Sequence, residues 1–188
     1  MKKDIARKIY LKKRQELSSS KFEEDSSQLI QNTIELIRKY ELNCIHCFLP
    51  IHSKGEINTT PIIQYCWKNN IKIAVPVSNF EDGTLKNAEF SPDSKTKQIK
   101  YNITEPINPI WLDNDNIDLV ITPLLAFDLK GYRVGYGKGF YDRFFASLHK
   151  DAKRIGISLF EPCKDIEDIN EHDIPLTHCV TLNKTYSF

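Results

Sequence analysis

Apolar residues recur along the chain with a period near 3.6, which is the spacing of a helix with one buried face. This spacing predicts four helices, over residues 3–17, 20–40, 61–69 and 140–149. Ser20 and Glu23 have the spacing of a capping box at the start of the second helix. Thr60 precedes Pro61, and this order is typical of a capping residue followed by the first helical position.

Short and nearly continuous apolar runs predict the strands. They cover residues 44–51, 71–77, 117–125 and 154–159, with a last short run over 179–182. The stretch 78–110 is predicted to be irregular, with a turn at Asp82-Gly83 and short strands near residues 89–90 and 99–101. Continuous apolar runs between helices indicate strands buried on both faces, so the pattern predicts one α/β domain over residues 1–188 with a mostly parallel sheet.

Charge and composition narrow the function classes. The chain has 188 residues with 26 Lys and Arg against 25 Asp and Glu, so its net charge of +1 does not favour a nucleic-acid binder. No apolar run resembles a signal peptide or a membrane span, and we therefore expect a cytoplasmic protein. A local basic run over residues 2–14 is either the solvated face of a helix or part of a binding site.

Five cysteines are present, and an odd number in a chain without a secretion signal argues against a disulfide framework. Cys44 and Cys47 have the C-x-x-C spacing of redox and zinc sites. The two residues lie inside an apolar run, and no second pair completes a set of four ligands. Small cysteines in a buried strand explain the spacing equally well.

The segment 128–142 carries the strongest chemical signal. Four of the seven glycines of the chain fall in it, at positions 131, 135, 137 and 139. Glycines allow close approach to the backbone, and Arg133 and Lys138 add positive charge, so the segment favours binding of a nucleotide phosphate. Asp142 is a candidate ligand for Mg²⁺. The alternative is a flexible turn followed by a carboxylate that caps a helix.

The run from Pro123 to Arg143 resembles the signature of the 5-formyltetrahydrofolate cyclo-ligase family almost residue by residue. Weaker matches are Lys3-x-x-x-Arg7, Phe48-Leu-Pro50 with the following residues 56–59, the run 101–106 and the run 172–176. The resemblance implies a three-layer α/β/α sandwich of the type found in sugar-phosphate isomerases and CoA transferases. It also implies a reaction in which 5-formyltetrahydrofolate and ATP give 5,10-methenyltetrahydrofolate, ADP and phosphate through a phosphorylated formyl group.

The resemblance further implies which residues form the site. ATP would be bound by Lys3, Arg7, Arg133, Gly135, Tyr136, Gly137, Lys138, Gly139, Phe140 and Tyr141. The folate would be bound by Ile51, Glu56, Tyr101, Tyr136 and Phe140. Lys138, Arg133 and Glu56 would have the catalytic roles, and Asp142 would bind Mg²⁺.

One position departs from the family pattern, because many relatives have an aspartate where this chain has Thr177. This departure leaves a protein that binds folate or nucleotide without turnover as an alternative. A sugar-phosphate enzyme of the same fold is a third hypothesis. For the cyclo-ligase we expect a monomer that acts on small molecules, without nucleic-acid or membrane partners.

Overall fold

A computed structural model describes all 188 residues and contains four α-helices. They are α1 Lys3–Gln15, α2 Ser19–Ile37, α3 Thr60–Lys68 and α4 Phe140–Ala146. Short 3₁₀ turns lie at His52–Lys54, Lys100–Asn102 and Asn114–Asn116. All four predicted helices are therefore present. None of them is long and apolar enough to cross a membrane.

Twelve strands form one large sheet and two small hairpins. They are β1 Cys44–Cys47, β2 Lys72–Asn79, β3 Thr84–Glu89, β4 Thr96–Gln98, β5 Thr104–Pro106, β6 Trp111–Leu112, β7 Leu119–Pro123, β8 Ala126–Phe127, β9 Arg133–Val134, β10 Lys153–Ile157, β11 His178–Val180 and β12 Thr185–Ser187. The order in the large sheet is β12-β11-β10-β7-β1-β2-β3-β6. Strands β11, β10, β7, β1 and β2 are parallel, which confirms the prediction of a mostly parallel sheet.

Alternating residues of the central strands face two separate cores. In β1, Ile45 and Cys47 join a cluster of 20 buried residues beneath α2 and α3, whereas Cys44 joins a second cluster beneath α4. The sheet therefore lies between two helical layers, as the three-layer prediction requires. Both cysteines are core residues, and burial raises the pKa of Cys44 to about 11. No group of three or more His, Cys, Asp or Glu side chains is placed to hold a metal ion.

The predicted capping residues of two helices are wrong by one or two positions. Ser18, whose backbone is extended, precedes α2, and its hydroxyl accepts a hydrogen bond of 3.2 Å from the N–H of Lys21. Ser20 lies inside the helix and does not cap it. Thr59 rather than Thr60 precedes α3, and its hydroxyl donates to the Phe48 carbonyl at 2.6 Å instead of capping the helix.

The stretch 78–110 contains more regular structure than predicted. Strand β3 pairs antiparallel with β2 through the turn at Asp82-Gly83, where Gly83 has a φ of +71°. The prediction of a strand near residues 99–101 is wrong, because Lys100–Asn102 form a 3₁₀ turn in which Tyr101 has a φ of +63°. Strands β4 and β5 flank this turn and pair with each other.

The long apolar run 117–125 divides at Pro123, where the chain leaves the sheet. Its continuation forms β8, which pairs with β9 in a hairpin that leads into the glycine-rich loop. Helix α1 packs on this hairpin through a third cluster of six buried residues, which includes Ala6 and Tyr10. The N-terminal helix is thereby brought beside the loop.

Candidate active site

A cavity of about 950 Å³ opens beyond the carboxyl ends of β1, β2 and β7. This edge is where ligands bind in open α/β sheets. Every residue predicted for the site lines the cavity: Lys3, Arg7, Ile51, Glu56, Tyr101, Arg133, Gly135, Tyr136, Gly137, Lys138, Gly139, Phe140, Tyr141 and Asp142. The volume lies at the upper end of the range for small-molecule pockets, which leaves room for two ligands side by side.

The glycine-rich loop is shaped by backbone conformations that favour glycine. Gly137 and Gly139 have φ values of +87° and +69°. A Cβ atom on Gly137 would lie 3.1 Å from the guanidinium carbon of Arg7. Arg7 in turn donates from Nε to the carbonyl of Gly135 at 2.8 Å. Helix α1 and the loop therefore form one wall of the cavity.

Gly135 differs from its neighbours in this loop. Its φ is not positive, and a Cβ atom there would meet nothing within 4 Å. Neither backbone strain nor packing inside the protein requires glycine at this position. The open space beside it lets a ligand approach the backbone closely.

The cations of the site differ in whether they already form ion pairs within the protein. Lys3 forms an ion pair with Asp173, and Arg133 forms one with Asp142 at 2.8 Å while also donating to the Ile174 carbonyl at 2.6 Å. Lys138 is exposed and forms no ion pair. Lys138 is therefore the cation most available to an incoming phosphate.

Arg133 is held on several sides in the protein. Its guanidinium lies 4.4 Å from the ring centroid of Phe145, and only 7% of its side chain is exposed. Both terminal nitrogens donate to protein oxygens. A direct clamp of Arg133 on phosphate, as predicted from the sequence, would compete with these bonds.

Glu56 lines the same cavity as the glycine-rich loop and is 6% exposed. Its carboxylate accepts a hydrogen bond of 2.8 Å from the N–H of Ile51. Burial raises the pKa of Glu56, while the Ile51 bond, hydrogen bonding by Tyr136 and the charges of Arg14 and Lys54 oppose the rise. The site thus contains a buried carboxylate surrounded by donors and cations.

Three aromatic rings form an apolar wall near the mouth of the cavity. The ring centroid of Phe80 lies 5.6 Å from that of Tyr101 and 5.7 Å from that of Phe140. Tyr101 is 60% exposed. Such a wall offers flat apolar surface to an aromatic ligand.

A chain of polar side chains runs behind the cavity, and its direction fixes the protonation of His46. Asn114 donates to Ser147 Oγ, and Asn87 donates from Nδ2 to Asn114 Oδ1, each at 2.7 Å. Asn87 Oδ1 therefore faces His46 Nδ1 at 2.6 Å and accepts a hydrogen bond from its N–H. This leaves Nε2 to accept from the Tyr141 hydroxyl at 3.4 Å. Burial lowers the pKa of His46 to about 4, so the ring is neutral.

Sequence reasoning missed many residues of the cavity region, and four of them carry charge or an aromatic ring close to the predicted site. Arg14 contacts the cavity residue Tyr136, while Lys54, Phe80 and Asp173 line the cavity themselves. A signal for Arg14 was present, because it follows Lys3 by eleven residues and Arg7 by seven, which places all three within about 40° on one helical face. Nothing in the sequence singles out Phe80.

Thr177 lies outside the cavity. Its hydroxyl accepts from the N–H of Arg154 at 3.0 Å and donates to the Arg154 carbonyl at 3.2 Å, between β10 and β11. Asp173 lines the cavity instead. The departure from the family pattern at position 177 therefore does not alter the cavity wall.

A sequence model described as the 5-formyltetrahydrofolate cyclo-ligase family matches residues 1–182. The chain belongs to this family. Among its curated relatives, the cyclo-ligase of Haemophilus influenzae is 33% identical over 151 residues, which span 78% of this chain and 79% of the relative. The cyclo-ligase of Escherichia coli K12 is 33% identical over 140 residues, which span 71% of this chain and 76% of the relative.

Solved structures agree with membership of the cyclo-ligase family. The 5,10-methenyltetrahydrofolate synthetase of Mycoplasma pneumoniae superposes with a TM-score of 0.78 at 22% identity, covering 96% of this chain and 98% of that one. The Aquifex aeolicus 5,10-methenyltetrahydrofolate synthetase gives 0.76 at 26% identity, covering 100% and 93%. These superpositions confirm the predicted fold class of this cyclo-ligase family member.

Proposed function

We propose that this chain catalyses the ATP-dependent cyclisation of 5-formyltetrahydrofolate to 5,10-methenyltetrahydrofolate, with release of ADP and phosphate. The observation that carries the proposal is the family match over residues 1–182. The cavity supports it, because its lining combines cations and a glycine-rich loop with aromatic rings and a buried carboxylate.

The reaction activates an oxygen that is otherwise a poor leaving group. The formyl oxygen attacks the γ-phosphorus of ATP, and the bond from that phosphorus to ADP breaks. N10 of the folate then attacks the formyl carbon and loses its proton, and the carbon–oxygen bond breaks as phosphate leaves with the former formyl oxygen. The protein has to align the two ligands and neutralise the charge on the transferred group.

The cationic wall of the cavity is our candidate for the nucleotide side. Lys138, which has no partner in the protein, would stabilise the charge on the transferred phosphoryl group. Lys3 and Arg7 project from the same helical face toward the loop, and the backbone of residues 135–141 would wrap the triphosphate. We propose that Arg133 acts mainly by orienting Asp142, and that it reaches phosphate only when its present bonds are exchanged.

Glu56 and the aromatic residues of the cavity are our candidate for the folate side. Glu56 would accept hydrogen bonds from N–H groups of the pterin or from the reacting amide region, because a buried carboxylate has lone pairs left after the Ile51 bond. Tyr101, Tyr136 and Phe140 would provide stacking surface, with Ile51 closing the pocket.

The carboxylate of Asp142 fits a role in holding Mg²⁺. Its Oδ1 accepts from Arg133 and from the N–H of Ile174, and its Oδ2 is left for a cation. Mg²⁺ favours one or two carboxylates together with phosphate oxygens and water. When bound with ATP, Mg²⁺ would neutralise charge on the phosphates, and Asp142 would hold it beside the loop.

The direct test is a spectrophotometric assay with purified protein, 5-formyltetrahydrofolate and Mg-ATP. We expect the near-ultraviolet absorbance of the methenyl ring to grow only when ATP is present. Binding of both ligands by calorimetry without this band would instead indicate a protein that binds without turnover. Absence of both binding and turnover would contradict the proposal.

We also propose that the enzyme works as a monomer in the cytoplasm on these small molecules alone. Sedimentation velocity would test the first point, and a sedimentation coefficient that rises with protein concentration would contradict it. Cell fractionation with an antibody to the native protein would test the second.

A further inference from the structure

Arg14 is a buried cation at the end of α1. It is 9% exposed, and its Nη2 donates to the Leu124 carbonyl at 2.9 Å. Its Nη1 lies 3.4 Å from the hydroxyl oxygen of Tyr136, and its Nε has no hydrogen-bond partner. The other cations near it in sequence, Lys12 and Lys13, are exposed.

Packing alone does not account for a guanidinium at this position. Arginine stays charged in proteins, and a buried charge is normally paired with an opposite charge. No carboxylate lies within ion-pair distance of Arg14. A methionine would fill similar volume without the cost of desolvating a charge, so the charge itself points to a role.

The contacts of Arg14 lead to the folate side of the cavity. Because Arg14 donates to the oxygen of Tyr136, the single proton of that hydroxyl is directed elsewhere. The segment that carries Glu56 lies beside both residues, because Arg14 Cδ would lie 3.3 Å from a Cβ atom on Gly55 and Lys54 Nζ lies 4.2 Å from the centroid of the Tyr136 ring. Interaction with the Tyr136 hydroxyl lowers the pKa of Glu56 and so opposes the effect of burial. Tyr136 stays protonated because burial raises its pKa well above the usual range.

We infer that Arg14 is a positioning residue for folate binding, which holds Tyr136 so that its hydroxyl donates to Glu56 and keeps that carboxylate ionised. This inference rests on the proposed function, in which Glu56 accepts hydrogen bonds from the folate. Arg14 would touch neither substrate.

Removing the charge of Arg14 should change the pH dependence of folate binding. Four charged or titratable groups face Glu56: Arg14 from α1, Lys54 from the 3₁₀ turn, Tyr136 from the glycine loop and Tyr141 from α4. Of the two cations, only Arg14 also contacts Tyr136 through a hydrogen bond. Loss of its charge therefore favours protonation of Glu56, and a protonated carboxyl is a poorer acceptor for the folate.

The test compares Arg14→Met with Arg14→Lys, and uses Lys12→Met as the matched control because it removes an exposed cation from the same helix. The first measurement is a ¹³C NMR titration of the Glu56 carboxyl carbon, assigned by its loss in Glu56→Gln. We expect the titration midpoint to rise by about one pH unit in Arg14→Met, which is the size typical of losing a nearby opposite charge. Arg14→Lys should reverse most of the rise, and Lys12→Met should not move it.

The second measurement is the pH dependence of KM for 5-formyltetrahydrofolate. KM for the folate should rise at low pH, where Glu56 becomes protonated. In Arg14→Met this rise should begin about one pH unit higher than in the native protein, while KM for ATP stays within twofold of the native value. In a Glu56→Gln background, Arg14→Met should have no further effect on KM for the folate. Urea denaturation of each variant tests whether the fold persists.

An unchanged Glu56 midpoint in a folded Arg14→Met would overturn the inference. An equal rise in KM for both substrates would also overturn it, since that result is expected from a merely structural role. Failure of the proposed function would be recognised separately, as an absence of turnover in the native protein. The NMR titration keeps its meaning in that case.

Discussion

The neutral His46 gives a prediction about stability that the structure allows us to work through. The ring is fully buried in β1, between the amide of Asn87 and the ring of Phe144, whose centroid lies 4.6 Å away. Replacing it with asparagine retains a donor toward Asn87 and removes the titration. The perturbation of interest is therefore His46→Asn, studied as a function of pH.

The lowered pKa of His46 determines how its contribution to stability changes with pH. Burial lowers the pKa of His46 to about 4, whereas a histidine in the unfolded chain titrates near 6.5. Between these two values the unfolded state binds more protons, so the stability that the neutral ring contributes is lost as pH falls from about 6.5 toward about 4. The loss attributable to His46 is about 2 kcal/mol at pH 5 relative to pH 8.

The assay is urea denaturation of the native protein and of His46→Asn from pH 8 to pH 5. The native free energy of unfolding should fall more steeply, and the difference between the two proteins should change by about 2 kcal/mol over this range. The exposed histidine variant His172→Asn should follow the native curve. A difference that stays constant with pH would show that folded His46 titrates normally, and the reasoning would be refuted.

Three further substitutions test the assignment of the two walls of the cavity. Lys138→Ala should reduce kcat by about two orders of magnitude or more with an unchanged denaturation midpoint, because an exposed group that stabilises transferred charge is removed without loss of core volume; unchanged turnover would contradict its role. Glu56→Gln should raise KM for the folate and leave the dissociation constant for ATP, measured by calorimetry, nearly constant. An unchanged KM for the folate with weaker ATP binding would instead place Glu56 on the nucleotide side. Phe80→Ala should raise KM for the folate by about tenfold, because stacking surface is lost. Phe188 is a partly exposed aromatic residue outside the cavity, so Phe188→Ala is the kinetic control. Equal effects of the two substitutions would show that Phe80 does not belong to the site.

The parallel core of the fold could be predicted because its central strands are mostly apolar on both faces. Strand β7, with Val120 and Ile121 buried on opposite sides, is readable from its own residues. Strand β3 is different, since polar residues such as Lys86 and Asn87 interrupt it. It forms because β2 offers a pairing partner across a tight turn, and this partner is not visible in the segment itself.

The site could be predicted where its chemistry is concentrated in sequence. The glycine-rich loop is compact enough to be recognised, and residues as distant as Lys3 and Tyr101 were placed by the family resemblance. For Arg14 the sequence allows either a solvated basic face or a binding site, because a charge pattern does not show which charges are buried. Thr177 stands where many relatives have an aspartate, yet Asp173 lines the cavity and Thr177 does not, because only the fold decides which residues of the run 172–177 face the cavity.

Helix α1 packs on its own small hydrophobic cluster, and this affects the dynamics of the enzyme. This helix rests on a cluster of six buried residues, whereas the central sheet shares a cluster of 20, so its amides should exchange with solvent through local opening before the sheet unfolds. Opening of the helix would withdraw Lys3 and Arg7 from a nucleotide bound as we propose. A ligand at 100 times its dissociation constant would therefore suppress that opening by about 100-fold, or about 2.7 kcal/mol. Hydrogen exchange in α1 would then report occupancy of the proposed nucleotide site.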